Sequence, residues 1–128
     1  MGVRGIRGAI TVEQNEKDDI VAAARELLEE MVGQNSVKPD EIASVLISVT
    51  DDLDAAFPAQ AARLLPGWEY VPLMCTREIP VPGSLPRCIR VMMHVNTAKK
   101  QDEVIHIFLR EAVRLRPDLV KRQESRNA

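Results

Sequence analysis

Aromatic residues are scarce in this chain: Phe57, Trp68, Tyr70 and Phe108 are the full set in 128 residues. Its core cannot rest on stacked rings and must be aliphatic, built from Ile, Leu, Val, Ala and Met. Cysteine is scarce too. Cys75 and Cys88 make no disulfide framework. With His94 and His106 they match no zinc-ligand spacing, so neither metal nor cofactor is expected. No apolar run is long enough to span a bilayer, and the N-terminus lacks the apolar stretch of a signal peptide. A formal net charge of −2 gives no broad positive field, which argues against a nucleic-acid partner. A cytoplasmic protein is expected, with no membrane association. The chain also lacks a nucleophile–base constellation and a phosphate-cradling glycine loop.

What is present reads as one domain over residues 1–119, followed by a polar tail over 120–128 expected to be flexible. Residues 3–11 have a strand pattern punctuated by glycine. Asn15 is placed as a helix N-cap. Ile20, Ala23, Ala24, Leu27, Leu28, Met31 and Val32 then recur at helical spacing, with Gly33 as the stop. Pro39 opens a short helical turn, and Val45 to Thr50 is an apolar, central strand. Pro58 starts a short helix through Leu65. Further strands are expected at Tyr70 to Cys75, at 87–96 and at Val104 to Leu109, with a turn at 115–119. Prolines 80, 82 and 86 make residues 79–86 a stiff irregular loop. Asp51, Asp52 and Asp54 read as a solvated, helix-capping turn. The sum is an α+β protein: a five-stranded mixed sheet with one long helix on one face.

Strand alternation then isolates the chemistry. In Arg87-Cys88-Ile89-Arg90-Val91-Met92-Met93-His94-Val95, the residues Ile89, Val91, Met93 and Val95 share one face. Arg90 lies on the other with Cys88, Met92 and His94. Arg7 likewise opposes Ile6 and Ile10. A single strand arginine is ordinarily a solvated position. Two of them, with the glutamate of Cys75-Thr76-Arg77-Glu78, fit a pocket for a small anion carrying more than one carboxylate. The helix can cover only one face, and the other is too apolar to be fully solvated and too charged to be a dry core. A subunit interface containing a ligand pocket fits that mixture.

Four segments carry a resemblance: Arg4-Gly5-Ile6-Arg7-Gly8-Ala9, Phe57-Pro58-Ala59, Cys88-Ile89-Arg90-Val91-Met92-Met93 and Leu115-Arg116-Pro117-Asp118-Leu119. Together they resemble the monofunctional chorismate mutases of the AroH class, from Val3 to about Leu119. The resemblance implies a homotrimer closing into a pseudo-α/β barrel, with active sites at subunit interfaces. The implied reaction converts chorismate to prephenate, on the route to phenylalanine and tyrosine. By the same resemblance Arg7 binds a substrate carboxylate, and Arg90 contacts the ether oxygen and a carboxylate. Glu78 and the Cys75 region, with Thr76 and Arg77 between them, hold the ring hydroxyl. Leu73 and Met74 form pocket wall. Phe57 and Ala59 come from the neighbouring subunit, with Arg63 near the mouth. Leu115 closes the site, and Arg116 beside it has a claim to ligand steering. Two positions depart from the family pattern. Phe108 stands where a tyrosine is common, and Gln60 where a lysine can occur.

The implied chemistry explains the missing constellations. The rearrangement is concerted: a carbon–oxygen bond breaks as a carbon–carbon bond forms, and no proton or nucleophile is needed. What remains is to hold the compact conformer and to set a fixed positive charge at the ether oxygen. Two other readings compete. One is a trimeric imine or enamine hydrolase of similar architecture, which would also grip a carboxylate with an arginine. The other is a non-catalytic sensor of an aromatic-pathway metabolite.

Overall fold

The computed structural model describes residues 2–118; the tail expected to be flexible lies outside them. Strand β1 (Gly2–Thr11) leads into helix α1 (Lys17–Gln34), then β2 (Ile42–Val49), β3 (Leu73–Arg77), β4 (Cys88–Thr97) and β5 (Ile107–Leu109). Short 3-10 helices occupy Pro39–Glu41, Pro58–Leu64, Gln101–Glu103 and Arg110–Arg114. The sheet order is β3-β2-β4-β1-β5. β4 is antiparallel to β1 and β2, while β5 follows β1 and β3 follows β2 in parallel. Four strands therefore run one way and β4 alone runs the other.

The expected faces are present. Ile89, Val91, Met93 and Val95 of β4 are buried beneath α1, with Ile6 and Ile10 of β1 and Val45 and Ile47 of β2. The helix supplies Ile20, Ala23, Ala24, Leu27, Leu28 and Met31. Each large aliphatic side chain sealed there contributes about 1.5–3 kcal/mol. Gly8 is required by this packing, because a Cβ at that position would fall on the Met31 sulfur.

Several boundaries differ from the sequence reading, each for a local reason. Asn15 does not cap α1. The N-cap is Glu16, without a side-chain bond. The Asn15 amide is taken up by the 51–55 turn, donating to Asp54 Oδ1 at 2.7 Å and accepting the N–H groups of Asp54 and Ala55. Gly33 does not stop the helix either. The chain turns at Ser36, whose φ is +52°, with Ser36 N–H donating to Gly33 O and Val37 N–H to Val32 O. That is the paired closure normally built on glycine. β2 starts three residues early, at Ile42, with a register break between Ile42 and Ser44. β3 starts three residues late. A turn closed by Val71 N–H on Trp68 O consumes the chain before it, leaving Tyr70 in solvent. β5 is cut to three residues because the buried Asn35 amide bonds both the N–H and the C=O of Ile105, taking the groups a ladder would use.

Candidate functional site

The outer face of the sheet carries the arginines. In register, Arg7 opposes Met92, and Ser48 opposes Arg90. A cleft of about 280 Å³ opens there, lined among others by Arg7, Ser48, Thr76, Arg90, Phe108 and Leu115. Strand alternation on β1, β2 and β4 aims these side chains away from the helix, so the fold itself assembles the charge. Arg90 Nε sits 3.1 Å from Glu78 Oε2, and both residues are half-buried. Glu78 immediately follows β3, its N–H donating to Val49 O at 2.9 Å. Arg7 lies over the Phe108 ring, 5.9 Å from its centroid. Its backbone N–H donates to His106 Nδ1 at 2.9 Å.

The electrostatics favour an anion. Burial, then the charges of Arg116 and Arg90, push the Arg7 guanidinium below its ordinary range. Each cause penalises the cation; an anion arriving between the guanidinium groups offsets the mutual repulsion and compensates the lost hydration with charge-assisted bonds. Arg116 itself is held by Asp118 in a two-pronged pair at 3.1 and 3.0 Å, which raises its pKa. Burial pushes the Cys88 thiol up, and the neighbouring Arg90 partly counters this.

A second cleft, of about 670 Å³, is lined by Phe57, Ala59, Gln60, Arg63, Leu73 and Cys75, with Trp68 and Glu69. It does not merge with the first. Leu73 and Cys75 pair with Val45 and Ile47, whose side chains point to the helix-covered face. The sequence reading thus divides into two groups on opposite sides of the sheet. Arg7, Glu78, Arg90, Thr76, Phe108 and Leu115 form one. Phe57, Ala59, Arg63, Leu73 and Cys75 form the other.

Arg116 stands with the first group through its charge on Arg7, and three residues fall outside both groups or change their role. The Cys75 thiol is on the wrong face to meet the arginines, so only its backbone could serve their cleft. Arg77 points to Asp51, at 2.6 Å, and stays exposed at the end of the sheet. Met74 stands 68% exposed on the outer face and lines neither cleft. Ser48 was missed from the sequence. Its alternation within β2 was readable, but its register opposite Arg90 was not.

The fold and this site define a class: a small mixed-sheet protein with a multi-arginine anion cleft on its open face. The comparisons with known proteins narrow it. The sequence model of the family "Chorismate mutase type I" matches residues 3–119. Chorismate mutase AroH of Thermus thermophilus is 56% identical over 122 residues, covering 94% of this chain and 99% of that protein. Its counterpart in Bacillus subtilis is 48% identical over 119 residues, covering 93% and 94%. A solved chorismate mutase from Clostridium thermocellum superposes with a TM-score of 0.82 at 54% identity, covering 84% of this chain and 96% of that one. The chain belongs to the chorismate mutase type I family.

Proposed function

We propose that this protein catalyses the rearrangement of chorismate to prephenate, with Arg90 as the group that stabilises the transition state. The observation that carries the reading is the paired outer-face guanidinium groups of Arg7 and Arg90, the second locked by Glu78 at 3.1 Å. Chorismate offers two carboxylates and an ether oxygen, and the cleft offers permanent cations with fixed donors. Arg7 takes a carboxylate. Arg90 donates to the ether oxygen as negative charge gathers there, and Glu78 accepts from the ring hydroxyl. No proton moves in the chemical step. Catalysis comes from holding the compact conformer and from charge placed before the reaction begins.

The second half of the site is assigned to a neighbouring copy. The outer face leaves Leu46 and Met74 exposed beside the arginine cleft, and Phe57 is 69% exposed at the other cleft. Both features fit a homotrimer in which the Phe57, Ala59 and Arg63 side of one subunit caps the Arg7 and Arg90 side of the next. Leu115 then shuts the remaining opening. The family assignment favours neither the hydrolase nor the sensor. The test is direct: the protein is mixed with chorismate, loss of its ultraviolet absorbance is followed, and Arg90→Ala is run beside it. Turnover by the wild type and its near-abolition in the variant are expected. A folded wild type inert toward chorismate overturns the reading.

A further inference from the structure

Arg87 begins the segment that delivers Arg90, and its backbone is unusual. Its φ is +47°, in the left-handed region that side chains other than glycine rarely adopt. Asp52 faces it from 35 residues away in the chain. The Arg87 N–H donates to Asp52 Oδ2 at 2.9 Å and Oδ1 at 3.1 Å. The Thr50 hydroxyl donates to Asp52 Oδ1 at 2.5 Å and accepts the Cys88 N–H at 3.0 Å. On the other side, Val12 N–H donates to Arg87 O at 2.8 Å, and Arg87 Nε donates to Val12 O at 3.0 Å. The turn after β2 thus grips the first two residues of the segment whose fourth residue is Arg90.

We propose that Asp52 is a positioning residue for Arg90: its carboxylate holds Arg87 in the left-handed conformation and so fixes the angle at which β4 presents the guanidinium. The proposal rests on the reading of Arg90 as the transition-state charge. The three acids of this turn otherwise look like solvated capping residues. Asp52 differs from that description because its acceptor oxygens are spent on a remote backbone N–H. A guanidinium that must meet an ether oxygen in one orientation is sensitive to small displacement. Without the carboxylate, Arg87 relaxes toward ordinary negative φ, and the start of β4 swings with it.

The experiment is steady-state kinetics with chorismate on four proteins: wild type, Asp52→Ala, Asp52→Asn, and Asp52→Ala combined with Arg87→Gly. Asp52→Ala should lower kcat roughly ten- to a hundredfold with KM little changed, because the displaced group acts in the transition state. Asp52→Asn keeps an acceptor and should stay within a few-fold of wild type. Glycine adopts positive φ without strain, so Arg87→Gly should restore most of the kcat lost in Asp52→Ala. A merely structural role would lower the unfolding temperature of both alanine variants and leave kcat alone. If Asp52→Ala does not fold, Asp52→Ser takes its place, its oxygen one bond nearer the backbone and short of the Arg87 N–H. A folded Asp52→Ala protein with wild-type kcat overturns the positioning role, as does a kcat that glycine at 87 does not recover. A wild type inert toward chorismate overturns the underlying reading, and the positioning role with it.

Discussion

Arg90 combines two properties that a lysine cannot. Its guanidinium is planar and forks, so it can pair with Glu78 through one edge while presenting other donors to a substrate. Removing a preorganised donor of this kind costs ~3–4 kcal/mol in the transition state. Arg90→Ala should therefore nearly abolish turnover while leaving the circular-dichroism spectrum unchanged. Arg90→Lys should recover little of it, and near-normal turnover in that variant would count against the electrostatic account. Phe108 illustrates the opposite case. It is buried, at 2% exposure, beneath Arg7, and it lines the cleft through its ring rather than a hydroxyl. Phe108→Tyr adds one hydrogen bond to a charged acceptor, worth ~1.5–3 kcal/mol at most. KM should fall several-fold with a smaller change in kcat, because the contact would be present before and during the reaction. An unchanged KM would show that position 108 does not reach the substrate.

Cys88 adds a pH signature that belongs to stability and not to catalysis. Burial raises its thiol above the ordinary value, so the unfolded chain loses this proton first as the pH climbs. The native state binds more protons in that interval, and stability must fall as pH rises. The Cys88 contribution is complete below the unfolded thiol value of about 8.5 and is lost as pH passes through the raised native value. Urea titrations should show this alkaline decline, and Cys88→Ala should lessen it. Turnover at saturation should stay nearly flat from mildly acidic to mildly basic pH, since no group titrates in the chemical step. A bell-shaped profile would indicate general acid–base work instead.

Elements were legible wherever periodicity is strong. The alternation in β4 placed Arg90 opposite the core, and the helical spacing of Ile20 to Met31 set the covered face. Boundaries were not legible where a side chain from far along the chain replaces a backbone partner. Asn35 is the clearest example. It is buried at 2% exposure and bonds Met31 O and both backbone groups of Ile105. Nothing in its local sequence signals that partner 70 residues on. Asn35→Ala should strand those groups and cost about 3 kcal/mol. The check is a lower urea midpoint with an unchanged slope; a shift within error would mean that water replaces the amide. The misplacement of β3 had a local source instead: a backbone turn closed by Val71 N–H on Trp68 O displaced the strand that Tyr70 and Val71 otherwise invite. Cys75 shows the same limit at one position: the sequence names its segment beside Glu78, but only the register with Ile47 shows that its thiol faces the core, leaving its backbone toward the outer face.

At the scale of the molecule, the two clefts lie on opposite sides of one sheet within a subunit. The resemblance already set Phe57 and Ala59 apart, as a neighbouring subunit's residues; what the motifs did not reveal is that Leu73 and the Cys75 thiol face their side of the sheet, because a motif carries identity and not direction. The proposal that one active site draws on both therefore calls for two copies. The measurement that tests this most directly mixes two inactive variants, Arg90→Ala and Phe57→Asp, unfolds and refolds them together, and assays chorismate turnover. Each variant alone should be nearly inert. In randomly mixed trimers, about one site in four would pair an intact arginine cleft with an intact Phe57 cleft, so about a quarter of wild-type turnover should return. Mixed subunits that stay as inactive as either parent, or a full-activity monomer, would contradict the account.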